Sequence, residues 1–240
     1  MAQAYTGIPW FVGLKMKCAS VSFGKDSLAM LLRMLDENWE LDKVLFFDTG
    51  MEFQAIYNIR DNVEKILVSK GIQFHVLRPK VPFLYSMLEK DIVSKKNGSH
   101  KGYGWCGGVT RWGTTEKLKS LDNVECDTMY IGIAKDEPKR LQRLQGTNKF
   151  SPLDFWGMTE QDCLDYCRQK GFNWDEDGVD LYTILDRVSC WCCSNKNKKE
   201  LTNIKKYLPK YWKKIQDLQS KISKPMNRGK WYNELITEEK

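Results

Sequence analysis

The sequence predicts an α/β fold: an open parallel sheet with helices on both faces, followed by a helical C-terminal extension. Short apolar runs alternate with longer amphipathic stretches up to about Cys193, the pattern of strands joined by crossover helices. Beyond Cys193 the composition turns abruptly Lys-rich, with apolar residues at helical spacing. The chain has 240 residues, and a fold of that size buries roughly 70–75% of the surface its unfolded chain exposes. It needs neither disulfides nor a metal merely to fold.

Lys17 to Ser22 reads as a short buried strand, and Ser27 to Leu35 as the helix after it. Val44 to Phe47 is a second strand, and Phe53 to Lys70 carries apolar residues at helical spacing. Gln73 to Leu77 supplies a third strand. Lys95 to Gly104, rich in Lys, Gly, Asn and Ser, reads as a mobile surface loop. Thr110 to Leu121 is helical and Met129 to Ile133 is a fourth strand. Thr159 to Lys170 follows as a helix with Thr159 as N-cap, Asp162 in the first turn and Gly171 as its stop. From Lys196 to Lys224, Leu201, Ile204, Leu208, Trp212 and Ile215 are spaced 3, 4, 4 and 3 apart. That makes one apolar helix stripe with lysines elsewhere. Its basic face is either solvated or a phosphate-binding surface for nucleic acid. The natural division is 1–193 for the sheet domain and 194–240 for the extension.

Composition narrows the class. Hydrophobic residues at 42% and charged residues at 29% suit a soluble globular chain. No stretch approaches the ~18 apolar residues of a membrane span, and no secretory signal is visible at the N-terminus. The expected setting is the cytoplasm, without a membrane partner. The net charge of +7 suits a phosphate-rich partner. Eight cysteines are then expected as reduced thiols, available to metal or redox chemistry. His75 and His100 are the only histidines, which argues against a His-rich zinc site.

Ser22-Phe23-Gly24-Lys25-Asp26-Ser27 leaves the first strand and opens a helix. Free N–H groups at a helix start attract an anion, Gly allows close approach, and Lys25 adds a cation. The bland reading is an ordinary strand-to-helix turn. Neither a Walker A loop nor G-x-G-x-x-G is present. The hexapeptide resembles the S-G-G-x-D-S pyrophosphate loop of the adenine nucleotide alpha hydrolases, the PP-loop ATPases, with Phe23 in place of the first Gly.

Further segments follow in order. Asp48-Thr49-Gly50-Met51-Glu52 resembles the D-T-G-x-E turn of phosphoadenosine phosphosulfate (PAPS) reductases. Gly132-Ile133-Ala134-Lys135-Asp136-Glu137-Pro138-Lys139-Arg140 is similar to that family's G-I-R-x-x-E-x-x-x-R, with Ala134 replacing its first arginine. Ser151-Pro152-Leu153, Trp156, Leu181-Tyr182, Arg187 and Cys190-Trp191-Cys192-Cys193 resemble its ending. The likeness runs from Lys17 to Cys193. It implies a Rossmann-like sheet of the adenine nucleotide alpha hydrolase type, with ligands at the carboxyl ends of the strands. It further implies that Gly132 and Ile133 hold adenine, with Asp48 and Thr49 near the nucleoside. Arg140 and Arg143, helped by Lys135, would carry phosphate or sulfate charge, and Lys25 and Asp26 would be catalytic. By themselves Asp48 reads as a turn carboxylate, and Arg140 and Arg143 as a solvated helix face.

Cys106 lies 84 residues before Cys190, and Cys190 and Cys193 form a C-x-x-C pair. The resemblance implies an iron–sulfur ligand set of Cys106, Cys190 and Cys193, with Gly107 where a fourth cysteine would stand. Three readings remain open: Cys192 as fourth ligand, a zinc clip, or a [4Fe–4S] cluster with one open iron. Free thiols are a further alternative. Cys18 reads as a buried apolar residue, Cys163 and Cys167 as core on one helix face, and Cys126 is unassigned.

Two functions follow. A PAPS or APS reductase needs an attacking thiolate, and no cysteine follows Cys193. The other reading, preferred here, is an enzyme that binds ATP with Mg²⁺ and adenylates a substrate with pyrophosphate release. Sulfur transfer follows, on tRNA or DNA, with a sulfur donor protein as a further partner. A partner-dependent nucleotide- and metal-binding subunit is the non-enzymatic alternative.

Overall fold

The sheet is built from four strands of four or five residues and one two-residue edge strand. β1 (Lys17–Ser20) is followed by α1 (Lys25–Asp36), β2 (Lys43–Phe47), α2 (Gln54–Ser69) and β3 (Gln73–Leu77). The computed structural model describes residues 16–94, 98–107 and 110–226. After β3 come α3 (Phe83–Leu88), the hairpin strands β4 (Asp91–Ser94) and β5 (Gly98–Lys101), α4 (Trp112–Asp122) and β6 (Thr128–Ile131). α5 (Pro138–Leu141), a 3₁₀ turn (Gln142–Leu144), β7 (Lys149–Phe150) and α6 (Pro152–Phe155) lead to α7 (Glu160–Gln169). The hairpin β8 (Asp175–Glu176) and β9 (Val179–Asp180), α8 (Leu181–Ile184), α9 (Lys198–Tyr207) and α10 (Pro209–Gln219) complete the described chain.

The main sheet is parallel and ordered β3-β2-β1-β6-β7. The chain therefore moves outward from β1 in one direction and then returns to its other side. The switch point lies between the carboxyl ends of β1 and β6, where diverging loops leave a crevice.

Alternation along the strands loads both faces. Ala19, Val44, Phe46 and Tyr130 point into the larger core with α1, α2 and α7. Cys18, Leu45 and Met129 point the other way, against Leu121 of α4. The second face is thin, because α4 buries little besides Gly113 and Leu121. The predicted helices on both faces are thus present but unequal.

Two expectations need correction. The stripe after Lys196 is not one helix. All five of its residues are buried, but α9 ends at Leu208 (φ −129, ψ 58) and Pro209 starts α10. Proline lacks the N–H an unbroken helix would use and pushes its predecessor out of the α region. The apolar face survives the break, since Tyr211 and Leu218 join it in the same core. Nor is the segment from Lys95 to Gly104 a plain loop. Gly98–Lys101 pairs antiparallel with Asp91–Ser94, and Gly98 takes φ +67. Residues 95–97 lie outside the described residues, as do Gly108 and the chain end after Met226.

Among the described residues, no helix is long and apolar enough to cross a membrane.

Candidate functional site

The crevice at the switch point is assembled from three chain turns. The first is Ser22 to Ser27. Phe23 sits in the left-handed region (φ 58), with its side chain fully buried against Phe46 and Phe74. Its carbonyl accepts from the Trp174 indole at 2.7 Å. A bulky residue here has taken the backbone role that a glycine would fill more cheaply. The Ser27 hydroxyl folds back, accepting from Ser22 N at 3.1 Å and donating to the Gly24 carbonyl at 3.2 Å. Lys25 N–H donates to the Tyr182 hydroxyl at 2.8 Å.

The second turn follows β6. A Cβ on Gly132 would lie 2.6 Å from the Ser27 Cα and 2.7 Å from its nitrogen, so only glycine lets the two turns touch. The third turn, Asp186 to Ser189, closes the wall.

Together they line a cavity of about 250 Å³ with Ser22, Gly24, Lys25, Asp26, Ser27, Gly132, Arg140 and Tyr182. Glu137, Glu160, Asp186, Arg187, Val188 and Ser189 complete it. A second cavity of about 640 Å³ shares Ser22, Ser27, Gly132 and Arg140. It extends over the thin face past Ile133, Arg143, Lys117 and Lys149, on a floor that includes Leu118, Leu121, Met129, Ile131 and Leu144. One end of the continuous cleft is charged and the other is largely apolar with a cationic rim.

Charges in the narrow end are paired. The Lys25 ammonium bonds to Glu160 and lies 3.2 Å from Asp26. Burial opposes its charge, but Asp26 and Glu160 outweigh that and raise its pKa. Burial also raises Asp26, against the pull of Lys25. Glu137, with a side chain only 9% exposed, pairs with Arg140 and lies 3.8 Å from Arg187.

Not every sequence-predicted residue lines the cleft. Phe23, Asp48, Thr49 and Lys135 are absent from both linings. Asp48 accepts from Tyr57 and from Gly50 N–H, both at 2.8 Å. Thr49 donates to Glu52 at 2.8 Å. The turn after β2 is thus closed on itself. Conversely, Glu160, Tyr182, Arg187 and Lys117 line the cleft without having been picked out singly for it. Tyr182 and Arg187 belong to matched segments, whereas Glu160 and Lys117 carry no sequence signal beyond their helices.

The cysteine loop adjoins this site, since Ser189 lines the cavity and Cys190 is the next residue. Trp191 N–H donates to the Met51 carbonyl at 3.0 Å, anchoring the loop at the carboxyl end of β2. Cys193 N–H donates to the Cys190 carbonyl, and Ser194 N–H to the Cys106 carbonyl. The Cys190 and Cys193 thiols lie together, and Cys106 is close to Cys193. Cys192 raises the Cys190 pKa, Cys190 raises Cys193, and burial raises Cys106. The donor set is thiols alone, which suits a thiophilic ion or cluster. Among the described residues no three such donors already stand in a metal-binding arrangement. The C-x-x-C pair is formed, and Cys106 stands beside it.

The remaining cysteines divide by environment. Cys163 and Cys167 are fully buried on α7, and Cys167 Sγ contacts the Lys25 carbonyl at 3.4 Å. Cys126 lines the wide end of the cleft. A hydrogen bond from the buried Cys18 thiol lowers its pKa.

An uncharacterised protein of Methanocaldococcus jannaschii is 27% identical over 228 residues, covering 87% of this chain but 42% of its own. The chain thus spans about two fifths of that relative's length. A U34-tRNA thiolase, NcsA, from Methanococcus maripaludis with its [4Fe–4S] cluster aligns at 16% identity and a TM-score of 0.43. That match covers 85% of this chain and 72% of that one. The family model of the phosphoadenosine phosphosulfate reductase domain matches residues 17–173, a span that holds the β1 turn, the β2 turn and the β6 turn in one sheet. On that match, the chain belongs to the phosphoadenosine phosphosulfate reductase domain family.

Proposed function

We propose that the protein binds ATP in the cleft and activates a substrate oxygen by adenylation, for replacement by sulfur. The observation that carries this reading is the wall shared by the narrow cavity and the thiols: Ser189 lines the one and Cys190 begins the other. Activation and sulfur delivery would then occur at neighbouring places at the carboxyl end of one sheet.

In this reading the narrow end takes the polyphosphate. Ser22, Gly24 and Ser27 line it around the start of α1 while Phe23 fixes that turn from the core, and Lys25, Arg140 and Arg187 supply positive charge. Asp26 is the carboxylate that would meet the Mg²⁺ accompanying ATP. The wide end takes the nucleoside, with adenine against Gly132 and Ile133 and Arg143 on its cationic rim. Asp48, Thr49 and Lys135 act by shaping the turns around it. A substrate oxygen attacks the α-phosphorus as the bond to the β-phosphate breaks and pyrophosphate leaves. Sulfide-level sulfur then attacks the carbon or phosphorus that bears the activated oxygen, its bond to that oxygen breaks, and AMP leaves with the oxygen.

Cys106, Cys190 and Cys193 would hold an iron–sulfur cluster or a zinc ion, with Cys192 in reserve. Such a centre supplies a thiophilic position for sulfide or a clamp for the loop. The substrate is read as a nucleic acid, tRNA or DNA, because Lys199, Lys206, Lys214 and Lys221 are exposed on and just beyond α9 and α10. A sulfur donor protein completes the scheme, and the 1–193 and 194–240 segments divide nucleotide chemistry from substrate holding.

The test is pyrophosphate release from ATP with and without tRNA or DNA. Stimulated release, lost in Lys25→Ala, is expected. Sulfite release from PAPS with thioredoxin, and no pyrophosphate release, would replace adenylation by reduction.

A further inference from the structure

The Lys25 ammonium is enclosed before any ligand arrives. Its side chain is 10% exposed, bonded to Glu160 and 3.2 Å from Asp26, with the Tyr182 ring centroid 5.7 Å away. Glu160 comes from a distant part of the chain and is held there by design of its helix. It is the first residue of α7, and its N–H donates to Asp136 Oδ1 at 3.1 Å. Thr159 and Asp162 form a capping box around it. Asp136 lies in the turn after β6, so two turns of the cleft converge on the placement of one carboxylate.

We propose that Glu160 is the resident counter-ion of Lys25 and a specificity-determining residue, which an incoming polyphosphate must displace. The inference rests on the nucleotide-binding reading above. A nearly buried ammonium left unpaired is costly, so the ligand-free site needs counter-charge. Asp26 and Glu160 together supply two negative charges for one positive. An anion that takes over Lys25 must outcompete the Glu160 carboxylate and endure its repulsion. Adjacent phosphates carry enough charge to do so. Adenosine, lodged in the wide end, never meets Glu160. The carboxylate therefore discriminates by phosphate charge, and base recognition is left to the rest of the cleft.

Glu160→Gln keeps the size and an acceptor for Lys25 but removes the charge, and Glu160→Asp keeps the charge. Calorimetric titration in magnesium buffer would compare adenosine, ATP and inorganic pyrophosphate on the full chain, with circular dichroism as the folding control. ATP and pyrophosphate should bind Glu160→Gln at least fivefold more tightly than wild type, adenosine should bind equally, and Glu160→Asp should behave as wild type. Without any nucleotide, acetic anhydride should label Lys25 at least threefold faster in Glu160→Gln, read by peptide mass spectrometry. If wild type binds ATP and Glu160→Gln binds it no more tightly, the proposal is overturned and the nucleotide reading stands. If neither protein binds ATP or pyrophosphate, the nucleotide reading falls and the selection mechanism falls with it.

Discussion

Phe23 carries two opposed demands on one residue. Its ring is a core side chain packed on Phe46 and Phe74, while its backbone sits at φ 58, which costs a non-glycine residue roughly 1–2 kcal/mol. Phe23→Ala should lose about 3–5 kcal/mol, the usual range for an emptied aromatic site. Phe23→Gly should lose about 1 kcal/mol less, because glycine accepts that φ freely. Urea denaturation of both variants measures the order, and the reverse order would refute a strained backbone. Gly132 makes the complementary case. A methyl there meets the backbone of Ser27 at 2.6 Å, and α1 must give way. Gly132→Ala should weaken ATP binding at least tenfold while circular dichroism stays near wild type, since the damage is confined to where two turns meet.

At the scale of elements, α7 is the clearest match between local sequence and structure. Thr159 Oγ1 accepts from Asp162 N–H at 3.2 Å, and Asp162 Oδ2 accepts from Thr159 N–H at 2.8 Å. Thr159→Ala should cost about 1 kcal/mol in urea unfolding. The Thr159 N–H and hydroxyl hold Asp162 below its ordinary pKa. A carboxylate depressed in the folded state adds stability above its unfolded pKa and loses it as pH falls through the folded one. Asp162→Asn should therefore flatten the loss of stability below about pH 4, and an unchanged acid limb in urea titrations would contradict this. Elsewhere periodicity was insufficient. The 3-4 stripe from Leu201 to Ile215 names the buried face correctly, yet a stripe is blind to Pro209 within it. Short strands with exposed faces, such as Gly98–Lys101, have no alternation to read. β7, two residues long, is an edge strand only because β6 lies beside it.

The whole molecule ties the C-terminal helices to the sheet. Tyr211 of α10 packs edge-on to Phe53, with ring centroids 4.8 Å apart. Its hydroxyl donates to the buried Glu176 at 2.9 Å and accepts from Gln54 N–H at 3.1 Å. Glu176 in turn accepts from Ala55 N–H at 2.8 Å. Truncation after Cys193 should therefore remove shared core, strip the buried Glu176 of Tyr211 and Lys210, and leave Gln54 N–H without its acceptor. Loss of cooperative unfolding is expected, measured by urea denaturation followed by tryptophan fluorescence. Retention of a sharp transition would show that the sheet domain stands alone.

By itself the sequence determined what depends on near neighbours along the chain: four strands of the sheet, the caps of α7, and the turns that begin at Ser22, Asp48 and Gly132. Those signals are local because backbone geometry, capping and apolar periodicity act within a few residues. Tertiary structure decided which of these turns became the cleft. Asp48 and Thr49 matched a family segment as well as Ser27 or Gly132 did, yet neither lines the cleft, and Asp48 Oδ1 and the Thr49 hydroxyl bond instead to Tyr57, Gly50 and Glu52. Glu160 and Lys117 reached the cleft from α7 and α4, helices whose own residues announce nothing of their neighbours. Strand order set this outcome. Only with β6 beside β1 does Gly132 touch Ser27, and the charge environment of Lys25 depends on groups 135 residues away in the chain. Pairings over such separations are made by the sheet and the packed helices, and no window along the sequence contains them.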